Sequence, residues 1–284
     1  MPFRVDEARR YFAEDLRVTY NLTSARLVDA IASVPRERFL PPGPWTLRGP
    51  RDMSPRQSDD ADPRHLYHDV GIAIDLARNL FNGQPSLITA WLESVRLDEG
   101  QRVLHIGCGT GYYTAWIAHM VGSRGRVFAM DVDPTLAERS RANLADYPWV
   151  EVSAGDATTN LPSGVDVIVV HAGATHILPQ WLDIMNDGGR LLLPLTCEIP
   201  GMAAGISKGM MLLATREGDG WSASCTGVPV AIYSLIGARD PQREPALGKA
   251  MMDGSFVRVK RLRRDPHEPD STCCVHAESV CLST

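Results

Sequence analysis

Apolar positions in the first part of the chain recur at helical steps. Residues 5–33 read as two helices. In the second, Leu27, Val28, Ile31 and Ala32 make one face, and Ser24 is placed to cap its start. Pro35 ends it, and Pro41, Pro42, Gly43 and Pro44 impose an irregular, extended path. Residues 51–64 are rich in Asp, Arg, Ser and Pro and offer little to bury, which predicts a solvated surface loop.

From residue 85 the pattern becomes regular. A helix over 86–95 leads into an apolar strand at 103–106. The following helix carries Tyr112, Ala115, Trp116, His119 and Met120 on one side, at steps of three and four. A strand at 127–130 precedes a helix over 134–144, with Pro134 suited to its first turn. Strands at 150–154 and 165–170, a helix near 178–185 and a strand at 190–195 complete the series. Such alternation predicts an α/β fold, a doubly wound and mostly parallel sheet. After residue 209 the pattern changes: 210–215 and 221–228 flank Glu217-Gly218-Asp219-Gly220 and read as an antiparallel hairpin. Three segments follow: N-terminal helices and loops over 1–85, a ligand-binding domain over 86–240, and a C-terminal extension over 241–284.

Composition narrows the class without naming it. Of 284 residues, 44% are hydrophobic and 22% charged, ordinary for a globular chain. The net charge of −5 gives no footprint for nucleic acid, and no apolar run nears the ~20 residues of a membrane span. The N-terminus has no apolar h-region, and the six cysteines form no Cys-x-x-Cys pair. A cytoplasmic chain with reduced thiols is the expectation. Nor does the spacing of His267, Cys273, Cys274, His276 and Cys281 fit a standard zinc pattern, and adjacent cysteines rarely share one ion, so no metal site is expected. The basic stretch 257–264 reads as an edge strand whose charges block aggregation.

The chemistry concentrates at the turn His105-Ile106-Gly107-Cys108-Gly109-Thr110-Gly111, between a strand and a helix. Glycines at alternate positions allow a tight turn and close approach of a ligand to the backbone. The dinucleotide fingerprint needs G-x-G-x-x-G. Here Tyr112 stands where its third glycine belongs, which disfavours NAD and resembles motif I of the class I methyltransferases. Asp131 ends the next strand, 20 residues beyond Gly111. A carboxylate there can accept from both ribose hydroxyls, or it can cap the helix behind Pro134. Gly155-Asp156-Ala157 follows the third strand, and Asp156 can face an adenine amino group or serve as a turn residue. The candidate cofactor set is His105, Gly107, Gly109, Gly111, Tyr112, Asp131, Val132, Asp156 and Ala157.

Beyond motif I, the chain resembles the protein-L-isoaspartate O-methyltransferases. The likeness is carried by Val34-Pro35-Arg36-Glu37-Arg38-Phe39, Tyr67-His68-Asp69, 107–115, 166–174 and Gly188-Gly189-Arg190-Leu191-Leu192-Leu193-Pro194. It implies a seven-stranded class I methyltransferase sheet, Rossmann-like, with S-adenosylmethionine as cofactor and a carboxylate of a protein or peptide as methyl acceptor. The family's serine beside the transferred methyl is replaced here by Gly83, ahead of Gln84-Pro85, and most class I enzymes have an acidic residue where His105 stands. The glycine predicts weakened action on isoaspartyl peptides and an acceptor, such as a small metabolite, that uses the space it leaves.

A carboxylate acceptor is ionised at neutral pH and needs orientation rather than a base; a hydroxyl or amine would need one. His68, His171 and His176 are candidates. His171, at the end of the strand 165–170, can be a base, a substrate contact or a hydrogen-bonded rim residue. Asn82 and Gln84 can bind the cofactor's methionine end or the acceptor, or simply brace their loop.

Overall fold

A computed structural model describes residues 4–50, 52, 54–199, 201, 205–277 and 279–284. The chain divides into two compact units that interleave along the sequence. The first comprises Met1–Gly100, Cys108–Val127 and Asp133–Val152, the second Gln101–Gly107, Phe128–Val132 and Ser153–Thr284.

The first unit opens with helices α1 (Val5–Thr19) and α2 (Ala25–Ser33). Ala8, Phe12, Ala13 and Leu16 form the buried stripe of α1, and Ser24 caps α2 by accepting from the Leu27 amide at 3.2 Å, as its sequence predicts. Strands β1 (Thr46–Arg48), β2 (Arg56–Gln57), β3 (Gly71–Asp75) and β4 (Leu80–Phe81) make a small sheet in the order β2-β1-β3-β4. The expected solvated loop over 51–64 is thus partly an edge strand. Its residues have no apolar alternation to reveal this, because β2 is exposed and pairs only through its backbone with β1. Beneath the sheet lies a cluster of Trp45, Leu47, Leu66, Val70 and Ile72. Helix α3 (Pro85–Val95) follows.

Strand β5 (Arg102–Ile106) then leads to α4 (Tyr112–Val121), β6 (Arg126–Asp131), α5 (Pro134–Asn143), β7 (Val150–Ala154), β8 (Val165–Val170), α6 (Pro179–Asp183) and β9 (Met185–Glu198). Helix α4 is buried on nearly every side, with only His119 reaching the surface, where it meets Asp29 at 2.7 Å. The one-sided reading of that helix therefore gives way to an all-round apolar one. The chain continues through β10 (Ile206–Glu217), β11 (Gly220–Tyr233), α7 (Glu244–Met252), β12 (Arg261–Arg263), β13 (Cys273–Val275) and β14 (Cys281–Ser283).

Ten strands are ordered β13-β14-β12-β11-β10-β9-β8-β5-β6-β7. β5, β8 and β9 run parallel, while β9, β10 and β11 are antiparallel. The seven strands from β11 to β7 are the expected sheet, and β12, β14 and β13 extend it at one edge. The hairpin β10–β11 is longer than its apolar pattern suggested. β9 also starts five residues early: its register against β8 shifts between Val165↔Met185 and Val167↔Arg190, so the polar run Asn186-Asp187-Gly188-Gly189 rides out as a bulge. Of the basic stretch 257–264, only Arg261–Arg263 is strand. The second unit's core gathers Leu104, Ile106, Val165, Ile168, Val170, Leu191, Leu193, Trp181 and Phe256 on this sheet.

The order places the site. From β5 the chain steps to β6 on one side and later returns to β8 on the other. Ligands of open α/β sheets bind beyond the carboxyl ends of the strands at such a reversal. The glycine turn lies there.

Candidate active site

The turn after β5 is built by backbone hydrogen bonds. The Gly107 amide donates to Met130 O at 2.8 Å, and the Gly111 amide to Cys108 O at 2.9 Å. All three glycines have positive φ. A Cβ on Gly107 would sit 3.2 Å from the His171 carbonyl oxygen, so this position is closed by the neighbouring strand end. Gly109 differs: a Cβ there would meet only the tip of Ile74, at 4.0 Å. Its glycine is required by φ +56 rather than by a close neighbour. Tyr112 begins α4, but its ring is buried and packs against Phe39, Tyr113 and Trp116. Its side chain is therefore a core element, not a ligand contact; what it can offer at the turn is its amide.

Asp131 ends β6, its side chain largely buried, and its carbonyl accepts from the Gly155 amide at 2.9 Å. The cap of α5 is Asp133, whose Oδ1 accepts from the Thr135 and Leu136 amides at 2.8 and 3.2 Å, while its other oxygen pairs with Arg78. The capping role that competed for Asp131 is thus filled by another residue. Between them Val132 is exposed, an apolar side chain at the sheet's ligand edge. Asp156 folds back on its own loop, where Oδ1 accepts from Thr158 N at 3.1 Å and Thr158 Oγ1 at 2.5 Å. Those bonds hold its carboxyl below the usual range. Its Oδ2 has no hydrogen bond to the described residues. Ala157 is buried and its carbonyl accepts from Trp181 Nε1 at 2.7 Å, so a ligand contact falls to its amide.

His105 is wholly buried inside β5, its Nε2 2.9 Å from His171 Nδ1. It cannot touch a ligand, which removes it from the direct cofactor set. Burial, with His171 beside it, holds its pKa well below the usual value, and desolvation lowers that of His171 to about 3. Burial thus disfavours the charged form of the His171 imidazole. The pair has a consequence for stability. An unfolded histidine binds its proton near pH 6.5, whereas the folded pair stays neutral. Stability is therefore intact above about pH 6.5 and falls as pH drops toward 3, by at most about 1.4 kcal/mol per unit for each imidazole. Urea titrations of His171→Asn should show a shallower acid slope than the parent between those limits; parallel slopes would remove the pair as the cause.

The loop ahead of α3 is braced from within its own unit. Asn82 Oδ1 accepts from the Ile72 amide at 2.8 Å and from Arg36 at 3.2 Å. Gln84 Nε2 donates to Asp69 Oδ2 at 2.7 Å and to Ser86 Oγ at 3.0 Å, while Asp69 Oδ1 accepts from the Ser86 amide at 2.8 Å. Both candidates are thus tied to neighbours within the first unit. Beneath them Arg36 is completely buried, donating to the carbonyls of Leu66 at 2.8 Å, His68 at 3.3 Å and Val70 at 2.7 Å. Gly83 offers no vacant space: its carbonyl accepts from Tyr113 Oη, and a Cβ would lie 3.2 Å from Ile88 and 3.4 Å from Tyr113. The expected room for a different acceptor is filled by those two side chains.

A family profile described as protein-L-isoaspartate(D-aspartate) O-methyltransferase matches residues 56–222, more than half of the chain. The chain belongs to the protein-L-isoaspartate O-methyltransferase family. It is thereby an S-adenosylmethionine-dependent methyltransferase. Protein-L-isoaspartate O-methyltransferase 1 of Archaeoglobus fulgidus is 32% identical over 194 residues, 67% of this chain and 80% of that protein. The enzyme of the same name from Aeropyrum pernix is 31% identical, over 68% of each chain. In fold, a solved protein-L-isoaspartate O-methyltransferase superposes with a TM-score of 0.67 at 23% identity, covering 85% of this chain and 70% of its own.

The profile takes in Asp69, the loop 80–86, the glycine turn, Asp131, Asp156 and His171, but neither Arg36 nor anything beyond residue 222. Arg36 and Asp69 are visible in the sequence only as members of the family-like segments 34–39 and 67–69. For Arg36 burial was the missing fact, since an arginine beside Pro35 reads as surface until its acceptors are located. No helix among the described residues is long and apolar enough to cross a membrane.

Proposed function

We propose that this methyltransferase esterifies the carboxylate of an isoaspartyl residue in a protein or peptide. The observation that carries the reading is the family match running unbroken from the braced loop 80–86 through the glycine turn to Asp156. S-Adenosylmethionine, when bound, supplies an electrophilic methyl group. The residues present fit it. Within the second unit, Gly107 closes the turn after β5, Asp131 accepts from the ribose hydroxyls, Val132 covers the adenine, and Asp156 with the Ala157 amide reads its edge.

The acceptor carboxylate is already ionised, so the chain has no proton to remove. Its task is orientation within about 3–3.5 Å of in-line geometry and exclusion of water. The weak basicity of His171 agrees with that demand. Gln84, Asp69 and Ser86 fix the loop 80–86 within the first unit.

Incubating the chain with methyl-labelled cofactor and an isoaspartyl peptide should label the peptide, and mild base should release the label as methanol. No transfer to isoaspartyl peptide, with transfer to another acceptor, would overturn the reading. The missing serine is tested separately. Gly83→Ser must push Ile88 aside, which costs about 1 kcal/mol by overpacking. A lowered Tm for Gly83→Ser, recovered in Gly83→Ser with Ile88→Val, is the expected pattern. A Gly83→Ser variant as stable as the parent would show that the pocket is loose after all.

A further inference from the structure

The extension beyond residue 222 brings together four side chains that are scattered in sequence. His267 lies on the loop between β12 and β13, Cys273 on β13, His276 just after it, and Cys281 on β14. Each contributes one nitrogen or sulfur, and the four atoms lie within 4.8 Å of one another. We propose that they form a tetrahedral zinc site that fastens the C-terminal strands to the edge of the sheet. This proposal departs from the expectation of no metal site.

Three observations carry this. First, His267 Nε2 and Cys273 Sγ are 3.6 Å apart. Bonds of about 2.0 Å to nitrogen and about 2.3 Å to sulfur at the tetrahedral angle put two such ligands about 3.5 Å apart. Second, the outer contacts suit a metal. His267 Nδ1 donates to the Asp265 carbonyl at 2.7 Å, which leaves its Nε2 lone pair facing Cys273. Its loop is clamped by Arg263, paired with Asp265 at 2.8 Å and Asp270 at 3.0 Å. Third, His276 Nδ1 is buried with no hydrogen-bond partner among the described residues. A buried ring nitrogen in that state is costly unless something accepts its lone pair.

The objection from adjacent cysteines dissolves in the strand. Successive side chains alternate across β13. Cys273 turns to the cluster, while Cys274 Sγ donates to the Ser255 carbonyl at 3.4 Å. Two thiols and two imidazoles select a borderline-soft ion over magnesium or calcium, and four protein ligands leave no open position for catalysis. The role is structural. β13 and β14 are three residues each and pair with a register shift, so cross-linking by a metal supplies what their short ladder lacks.

The full chain, purified without chelator from zinc-supplemented cells, should carry about one zinc per chain. Apo protein given Co²⁺ should show the visible bands of a tetrahedral cobalt thiolate. Cys281→Ser and His276→Gln should weaken zinc binding by more than about a hundredfold, and Cys274→Ser should leave it unchanged. Should Cys281→Ser fail to fold, His267→Gln and the metal content of the native chain decide the matter. Zinc well below stoichiometric with no cobalt bands overturns the proposal. So does a Cys273–Cys281 disulfide found by mass spectrometry, or a Cys274→Ser variant that loses zinc as fully as Cys281→Ser.

Discussion

Arg36→Met should be the most damaging single change in the first unit, lowering Tm by roughly 8–16 °C. The guanidinium is fully buried and donates to three main-chain carbonyls and to Asn82 Oδ1. Each charge-assisted bond contributes roughly 1.5–3 kcal/mol, and bonds within one network do not add fully, which gives a loss on the order of 4 kcal/mol. For a chain of this size that is about 2–4 °C per kcal/mol. Methionine fills the volume but leaves the carbonyls of Leu66, His68 and Val70 unsatisfied. The same change frees Asn82, and with it the start of the loop 80–86, so the KM for peptide should rise more than the dissociation constant for cofactor. Arg36→Lys should recover little, because a single ammonium cannot span this fork of acceptors. Calorimetry and initial-rate kinetics check the pair of effects. A Tm within 2 °C of the parent, in rough terms of half a kcal/mol, would mean that the loop is held by something else.

Asp131→Ala should weaken S-adenosylmethionine binding about a hundredfold or more without unfolding the chain. Two hydrogen bonds from ribose hydroxyls to a carboxylate contribute roughly 1.5–3 kcal/mol each. The fold should survive, since Asp133 caps α5 and the backbone bond from Gly155 to the Asp131 carbonyl does not need the side chain. Titration calorimetry with S-adenosylmethionine and S-adenosylhomocysteine measures the loss, and NAD should bind neither protein. An unchanged dissociation constant in a folded Asp131→Ala variant would remove the ribose role.

The two candidate sets were legible to different degrees, for a physical reason. Gly107, Gly109, Asp131 and Val132 sit at strand ends, where local sequence sets the backbone and the backbone sets the site. A strand, a glycine turn and a helix follow one another within a dozen residues, so their geometry is nearly covalent. Asn82 and Gln84 were legible as polar loop residues, but their partners are remote in sequence: Arg36 for the first, Asp69 for the second. Whether such an amide binds a ligand or braces a loop depends on where those partners arrive.

The sequence by itself determined the alternation of strands and helices, the glycine turn, the acidic strand ends, the cap at Ser24 and the first-turn proline Pro134, all of them effects of residues a few positions apart. Only the tertiary structure decided the rest. It buried His105 against His171, where desolvation lowers the pKa of both. It turned Tyr112 into the core and closed the space at Gly83 with Ile88 and Tyr113. It set Asp133 rather than Asp131 on the helix end. It also carried Cys273 to one side of its strand and Cys274 to the other, beside histidines that no spacing rule had joined. Burial and long-range pairing are properties of the packed chain, and a one-dimensional pattern constrains them only through the elements that must pack.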